Sequence, residues 1–272
     1  MAAPAATAPP VATAPATGSH FFYNVANMLL RYAPVAVLFI IWDLLGRSGL
    51  ISRQMLPDLA DIFSAFTTML FSGELLYNTA RSISRAATGL GLAIVVGVSA
   101  GLLMASFRGV RLIVNPIVQL FYPMPKSALI PVVMIWLGLG DSSKILLIFL
   151  GCLLPVIVGT YNGAKGVNPF LLWSASSFGA SRAAVMREVV LPAAMPDILN
   201  GCRTALAFSF ILMVSSEFVI ATDGVGYMIS SLGDGGLYPA MFAAIFFVAA
   251  IGFAADRLYA ALVRKLLRWR EA

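Results

Sequence analysis

The chain has 272 residues, 60% of them hydrophobic and only 11% charged, and its mean hydropathy is +0.91. A soluble domain carries about 25% charged residues, so this composition excludes a soluble globular fold and points to an all-α integral membrane protein with several spans. The net charge of +6 is dispersed between apolar runs and forms no basic stripe, so no nucleic acid partner is expected.

Taken in chain order, residues 1–20, "MAAPAATAPPVATAPATGSH", are low-complexity Ala/Pro/Thr sequence. They lack the basic start and compact apolar core of a signal peptide, and are expected to be a disordered, retained tail. A first span is predicted over Tyr32–Leu50, interrupted by Asp43. Next, Leu59, Ile62, Phe63, Phe66 and Leu70 share one helical stripe, with Asp58, Asp61 and Thr68 on another, as in an amphipathic helix at the interface.

The second span, Ile83–Phe107, carries Gly89, Gly91, Gly97 and Gly101, a strip of small residues that lets another helix approach closely. The third, Leu112–Leu137, is unusual because "YPMPKSALIP" puts Pro123, Pro125, Lys126 and Pro131 near mid-membrane. Such breaks are tolerated only beside a cavity or other protein. A fourth span ends near Tyr161, a fifth covers Ile198–Ala221 and a sixth Tyr238–Val263, before the basic end "RKLLRWR". Six spans place both termini on one side. The loops on that side hold Arg31, Arg108, Arg111, Lys165, Arg182, Arg187 and the C-terminal basic cluster, and by the positive-inside rule that side is cytoplasmic.

The cytoplasmic connection between spans four and five has its own grammar. Asn168-Pro169 is a helix start, an N-cap followed by proline at the first helical position. Gly179 stops that helix as glycine at C′ does. Ser181 then caps a second short helix expected to end near Leu191-Pro192, and Pro196 is expected to begin the next span. Local physics allows two uses for this hairpin: resting on the membrane surface, or docking a cytoplasmic partner.

The stretch "SASSFGASRAAVMREVVLPAAMP" resembles the signature loop of permease subunits of ATP-binding-cassette importers. That signature reads Glu-Ala-Ala, three residues, Gly, nine residues, Ile, one residue, Leu-Pro. Gly179, Val189, Leu191 and Pro192 fall at those spacings, and Ala175 matches the second alanine. Trp173 stands where the family has its acidic residue and Ser174 where it has its first alanine. "MPKSALIPVVMIWLGLGDSSKI" and "SSEFVIATDGVGYMI" are similar to the nitrate/sulfonate/taurine branch. The resemblance covers Leu56–Arg270.

It implies the type I importer permease fold, with residues 21–272 as the permease domain and a core at about 77–265. The implied function is import of a small nitrate-, sulfonate- or taurine-like anion. The implied partners are two cytoplasmic ATP-binding subunits, an extracytoplasmic substrate-binding protein, a second permease copy forming a homodimer, and the lipid of the bacterial inner membrane. The hairpin becomes the coupling helix, with Gly179 permitting a sharp turn and a close approach, and with Trp173, Arg182 and Glu188 as contacts to the ATPase. ATP and magnesium belong to the partner, so this chain binds no cofactor of its own.

The candidate translocation path is Lys126, Ser127 and Met134 on the third span, with Ser209, Met213, Ser216 and Glu217 on the fifth. An ionisable residue at mid-membrane costs about 2.5–3.5 kcal/mol on insertion scales and usually faces protein or water. Lys126 could attract an anion; it could equally partner an acidic group or snorkel. Glu217, near the outer end, suits a gate or a pairing with a neighbouring span. The methionines also suit simple packing.

One histidine, His20, leaves no material for zinc or Ser–His chemistry, and no Gly-x-x-x-x-Gly-Lys-Ser/Thr loop occurs. Cys152 and Cys202 lie in apolar stretches and read as buried small hydrophobes. No catalytic or metal-binding set is expected. The alternative to an ATP-driven importer is a secondary transporter driven by an ion gradient, which also uses broken helices but usually shows two similar halves and gives no reason for the hairpin.

Overall fold

The computed structural model describes residues 18–270, and these contain helices and turns with no strand among them. Residues 1–17, most of the expected tail, lie outside the described residues, as does the side chain of Arg31. Two compact units are present, one ending at Leu59 and one starting at Ala60.

The first unit is built on α1 (Gly18–Arg47). It starts well before the expected span and ends where Arg47 pairs with Asp43 one turn back, at 2.9 Å. Trp42 then donates its indole N–H to the carbonyl of Pro57 at 3.0 Å, folding the following segment back on the helix.

In the second unit, α2 (Leu59–Phe71) is an apolar helix of 13 residues, about 20 Å long and too short to cross a hydrocarbon core of about 30 Å. Among the described residues four helical runs are long and apolar enough to cross: α3 (Glu74–Ser106), α6 (Asp141–Lys165), the rod Arg182–Val219, and α11 (Tyr238–Leu266). Between α3 and α6 lie α4 (Arg108–Phe121), a 3-10 turn (Lys126–Leu129) and α5 (Ile130–Leu137). This pair of helices passes the same test only together and is bent by 96°.

The glycines of α3 give the direction of travel. A Cβ on Gly89, Gly97 or Gly101 would stand 2.6–2.8 Å from side-chain atoms of Ile148, Val156 and Thr160 in turn. The offset along both helices is constant, so α3 and α6 run parallel. The intervening residues must therefore carry the chain back from one end of the bundle to the other, and the bent pair makes that return. Lipid tails are as apolar as leucine, so close packing rather than hydrophobic exclusion holds such helices together. Gly91 faces open space and takes no part.

The contact of α6 with α9 (Leu191–Ile220), the main part of that rod, is antiparallel. Gly159 packs on Gly201, and Gly163 on Ala194 and Asp197. A buried cluster, including Ala86 and Ala93 of α3, Ile148, Cys152 and Val156 of α6, and Cys202, Ala205 and Met213 of α9, fills the three-helix centre. Both cysteines are free and buried.

Past the hairpin the structure departs from the sequence expectation. The second hairpin helix does not end at Leu191-Pro192, and Pro196 does not begin a span. Instead α8 (Arg182–Ala184) passes through a π-helical turn (Val185–Val190) straight into α9 (Leu191–Ile220). The Leu191 N–H reaches back five residues to the Met186 carbonyl. This wider register absorbs the amide missing at Pro192 without breaking the rod. A short α10 (Val225–Asp234) and a final 3-10 turn (Arg268–Arg270) complete the chain.

Candidate functional site

Three cavities meet at Tyr122, and two of them are walled by α9. The first, of about 340 Å³, lies between the break Tyr122–Ser127, Gly151 to Pro155 on α6, and Thr204, Phe208, Ile211 and Ser215 on α9. The second, about 370 Å³, is lined by α4 and α6 and includes Asn115, Tyr122 and Asn162. The third, about 230 Å³, joins Tyr122, Asn162, Asp197, Asn200 and Thr204. Shared walls, above all Tyr122, make them one groove. Its α9 wall from Asp197 to Ser215 is about 27 Å long at 1.5 Å per residue, close to the hydrocarbon thickness.

The predicted path residues divide between two faces. Lys126 and Ser127 line the groove. Met134 is half-buried against the central cluster, while Ser209, Met213, Ser216 and Glu217 are buried away from the groove, at 3% exposure or less. The groove face of α9 consists of residues one turn-fraction around the helix: Asp197, Asn200, Thr204, Phe208, Ile211 and Ser215. Their three- and four-residue spacing, with polar residues along a transmembrane stripe, is the signal that could have found them.

Lys126 has an unanticipated environment. Its ammonium donates to the carbonyls of Phe121 at 2.6 Å, Tyr122 at 3.2 Å and Met124 at 2.6 Å. Among the described residues no acidic group pairs with it, and it does not snorkel, since its three donors go to the main chain of the break.

At the end of the bundle where α3 and α6 begin, the structure assembles a charge cluster that the sequence did not reveal. Glu217 of α9 accepts from Arg85 at 2.7 Å, from the Ser82 hydroxyl at 2.6 Å and from the Gly226 amide at 3.0 Å. Arg85 also pairs with Asp141, the first residue of α6, and with Asp223 in the loop before α10. Arg81 bridges the same two aspartates, at 2.9 and 3.1 Å. The Val225 amide donates to Ser82 Oγ and the Gly224 amide to Asn78 Oδ1, both at 2.8 Å.

Three amides at the start of α10, which no helical carbonyl can serve, are thus taken by side chains of α3 and α9, and the Glu217 carboxylate sits where the helix dipole is positive. Of the two roles open to Glu217, the structure provides the pairing. The missed partners do carry a sequence signal: Asn78, Ser82 and Arg85 make a polar stripe at helical spacing on an otherwise apolar span. Asp223 lies in the loop. Burial pushes its carboxyl up, but the hydrogen bonds and charges of Arg85 and Arg81 outweigh this and hold it below the usual carboxylate range.

The hairpin follows its grammar closely at the first turn. Asn168 Oδ1 accepts the Phe170 amide at 3.0 Å, and α7 (Pro169–Ser177) begins. It ends in a Schellman motif: the Gly179 amide bonds to the Ser176 carbonyl and the Ala180 amide to that of Ala175, with Gly179 at φ +78°. The expected close approach at Gly179 is not made within this chain, since a Cβ there would meet nothing within 4 Å. Ser181 Oγ accepts the Ala184 amide at 3.2 Å, the expected second cap. Trp173 is 62% exposed and stacks edge-on against Phe170 at 5.2 Å. With Leu171 and Phe178 it forms an outward apolar surface. Ser174, Arg182 and Glu188 are part of the same hairpin, and Leu191 and Pro192 lie in the continuous rod.

Comparison with known proteins agrees with this architecture. Residues 93–268 match the family model of the binding-protein-dependent transport system inner membrane component. The chain is 34% identical over 248 residues to the taurine transport system permease protein TauC of Escherichia coli K12, covering 89% of this chain and 90% of that one. It is 35% identical over 237 residues to SsuC of Bacillus subtilis 168, named for aliphatic sulfonates transport, covering 87% and 86%. A chain of the inward-facing MetNI methionine ABC transporter superposes with a TM-score of 0.63 at 17% identity, covering 72% of this chain and 97% of that one, a likeness of fold.

Proposed function

Because the chain belongs to the family of binding-protein-dependent transport system inner membrane components, a multi-pass inner membrane permease of the nitrate/sulfonate/taurine branch of type I ABC importers, we propose that it carries a small organic anion of the sulfonate type through the groove along α9. The observation that carries this reading is the continuity of that groove, about one hydrocarbon thickness long, beside a crossing helix broken at Pro123 and Pro125. Broken main chain at membrane depth is tolerated beside a water-filled path.

In this reading residues 21–272 are the permease domain. α1 supplies a sixth crossing to the five of α3, the bent pair, α6, α9 and α11. Both termini and the hairpin are cytoplasmic. A second copy covers the open side of the groove, and an extracytoplasmic binding protein delivers cargo to the end of the bundle that carries Arg85 and Glu217. Lys126 and Ser127 belong to the path wall.

The hairpin transmits the work. Two ATP-binding subunits hydrolyse ATP with magnesium, and each receives one hairpin, with Trp173, Ser174, Ala175, Gly179, Arg182 and Glu188 at the contact. Because α8 and α9 form one rod through Leu191 and Pro192, displacement of the hairpin moves the groove wall directly. The ion-gradient alternative draws no support from the family match.

The test is co-purification with the ATPase subunits followed by ATP-dependent taurine uptake in proteoliposomes, for the wild type and Gly179→Arg. Loss of both in the variant, with thermal stability lowered no more than in Gly179→Ala, supports the coupling reading. Uptake that persists without the ATPase and follows a proton or sodium gradient overturns it.

A further inference from the structure

We infer that Lys126 is a positioning residue: its ammonium clasps the break in the α4–α5 crossing and so sets the shape of the groove wall, instead of receiving the charge of the cargo. The inference rests on the groove being the cargo path, while the clasp itself is a matter of main-chain geometry.

α4 ends at Phe121, and the last carbonyls of a helix lack amide partners and carry partial negative charge. Pro125 has no N–H, so a helix continued through it could not have satisfied the Phe121 carbonyl four residues earlier. The Phe121 carbonyl accepts only a long bond from the Met124 amide, at 3.3 Å; Lys126 adds a charged donor to it at 2.6 Å, and reaches Tyr122 at 3.2 Å and Met124 at 2.6 Å. An ammonium has three protons and no acceptor, so these carbonyls use all of them.

The stem runs beside α6. Lys126 Cγ lies 3.6 Å from the place a Cβ would take on Gly151 of α6, which is also a wall of the groove. One side chain therefore links the end of α4, the turn that begins α5, and α6, across a bend of 96°. An anion in the groove would meet protons already directed at carbonyls, and could bind them only by releasing the bend.

The experiment uses the full chain assembled with its ATPase subunits in liposomes, with Cys152 and Cys202 replaced by alanine. Spin labels are placed at Ile113 and Ile135, which are 69% and 84% exposed and lie on either side of the break. Lys126→Met should shift and broaden the label separation. It should also slow ATP-driven taurine uptake roughly ten- to hundredfold in kcat, the scale of one or two lost charge-assisted hydrogen bonds, with KM within about twofold.

Lys126→Arg should restore part of both, because a planar fork cannot converge on three carbonyls from one nitrogen. Should the methionine variant fail to assemble, Lys126→Gln replaces it: the side-chain amide keeps donors without charge and should hold the label separation nearer to wild type. An unchanged separation in Lys126→Met or Lys126→Gln, with KM raised and kcat preserved, overturns the inference and assigns Lys126 to the cargo charge. If the wild type takes up no taurine, the path reading for that cargo fails, and the label separations alone decide the clasp.

Discussion

Glu217 and Arg85, 132 positions apart in sequence, meet at 2.7 Å with the carboxylate fully excluded from solvent and the guanidinium 3% exposed. The pair is more than a tie between α9 and α3. Through Ser82, Asp141 and Asp223 it fastens the start of α6 and the first turn of α10 to the same point. The cluster thereby ties four separate segments of the chain to one another.

Removing one partner of a buried pair strands the other's charge. Arg85→Ala should therefore destabilise the chain by about 3–5 kcal/mol, measured by thermal or denaturant unfolding in detergent. Arg85→Lys should recover little, since one ammonium cannot reach Glu217, Asp141 and Asp223 together in the geometry of a guanidinium fork. A lysine variant as stable as wild type would show that the fork is not what holds the cluster.

Two glycines with positive φ should respond differently to alanine. At Gly224, with φ +107°, a Cβ would stand 2.5 Å from the Glu217 carboxylate, so Gly224→Ala should cost about 3 kcal/mol or more through combined strain and crowding. At Gly179, with φ +78° and open space around it, Gly179→Ala should cost only the left-handed backbone penalty, about 1–2 kcal/mol. Unfolding of the two variants side by side checks the ranking.

The Asp223 carboxyl is held below its ordinary value by Arg85 and Arg81. A depressed folded value means that its contribution to stability is complete above the unfolded value, about 3.9, and is lost as pH falls through the folded value. Melting temperature recorded against pH should therefore drop on the acid side of about pH 4. Asp223→Asn should be less stable near neutrality and show a shallower acid limb.

Trp173 is exposed and touches little but Phe170, so Trp173→Ala should leave the melting temperature within about 1 °C, as surface changes do. If the hairpin docks through this aromatic pair, the same variant should weaken ATPase association about tenfold or more, as loss of a tryptophan anchor does. Surface plasmon resonance on detergent-solubilised chains reads this directly, and unchanged affinity removes Trp173 from the contact.

The sequence by itself determined what acts over a few residues. Composition fixed the solvent, since so few charges cannot cover a soluble surface. Asn168, Pro169, Gly179 and Ser181 fixed the hairpin, because a cap or a left-handed turn is satisfied by amides one turn away. Proline spacing marked the break at 123–125.

What the sequence could not decide was whatever depended on distant chain meeting in space. The rotation of α9, which turns Thr204 and Ser215 to the groove and Met213 and Glu217 to the core, is set by the glycine contacts with α6. The partners of Lys126 are carbonyls, which carry no residue identity, so no side-chain pattern announces them. Continuity through Pro192 required a π register that only the assembled rod displays. The charge cluster joins residues from four separate segments, whose attraction falls off with distance in space and is indifferent to distance along the chain; that is why the tertiary structure alone could bring Arg85 to Glu217.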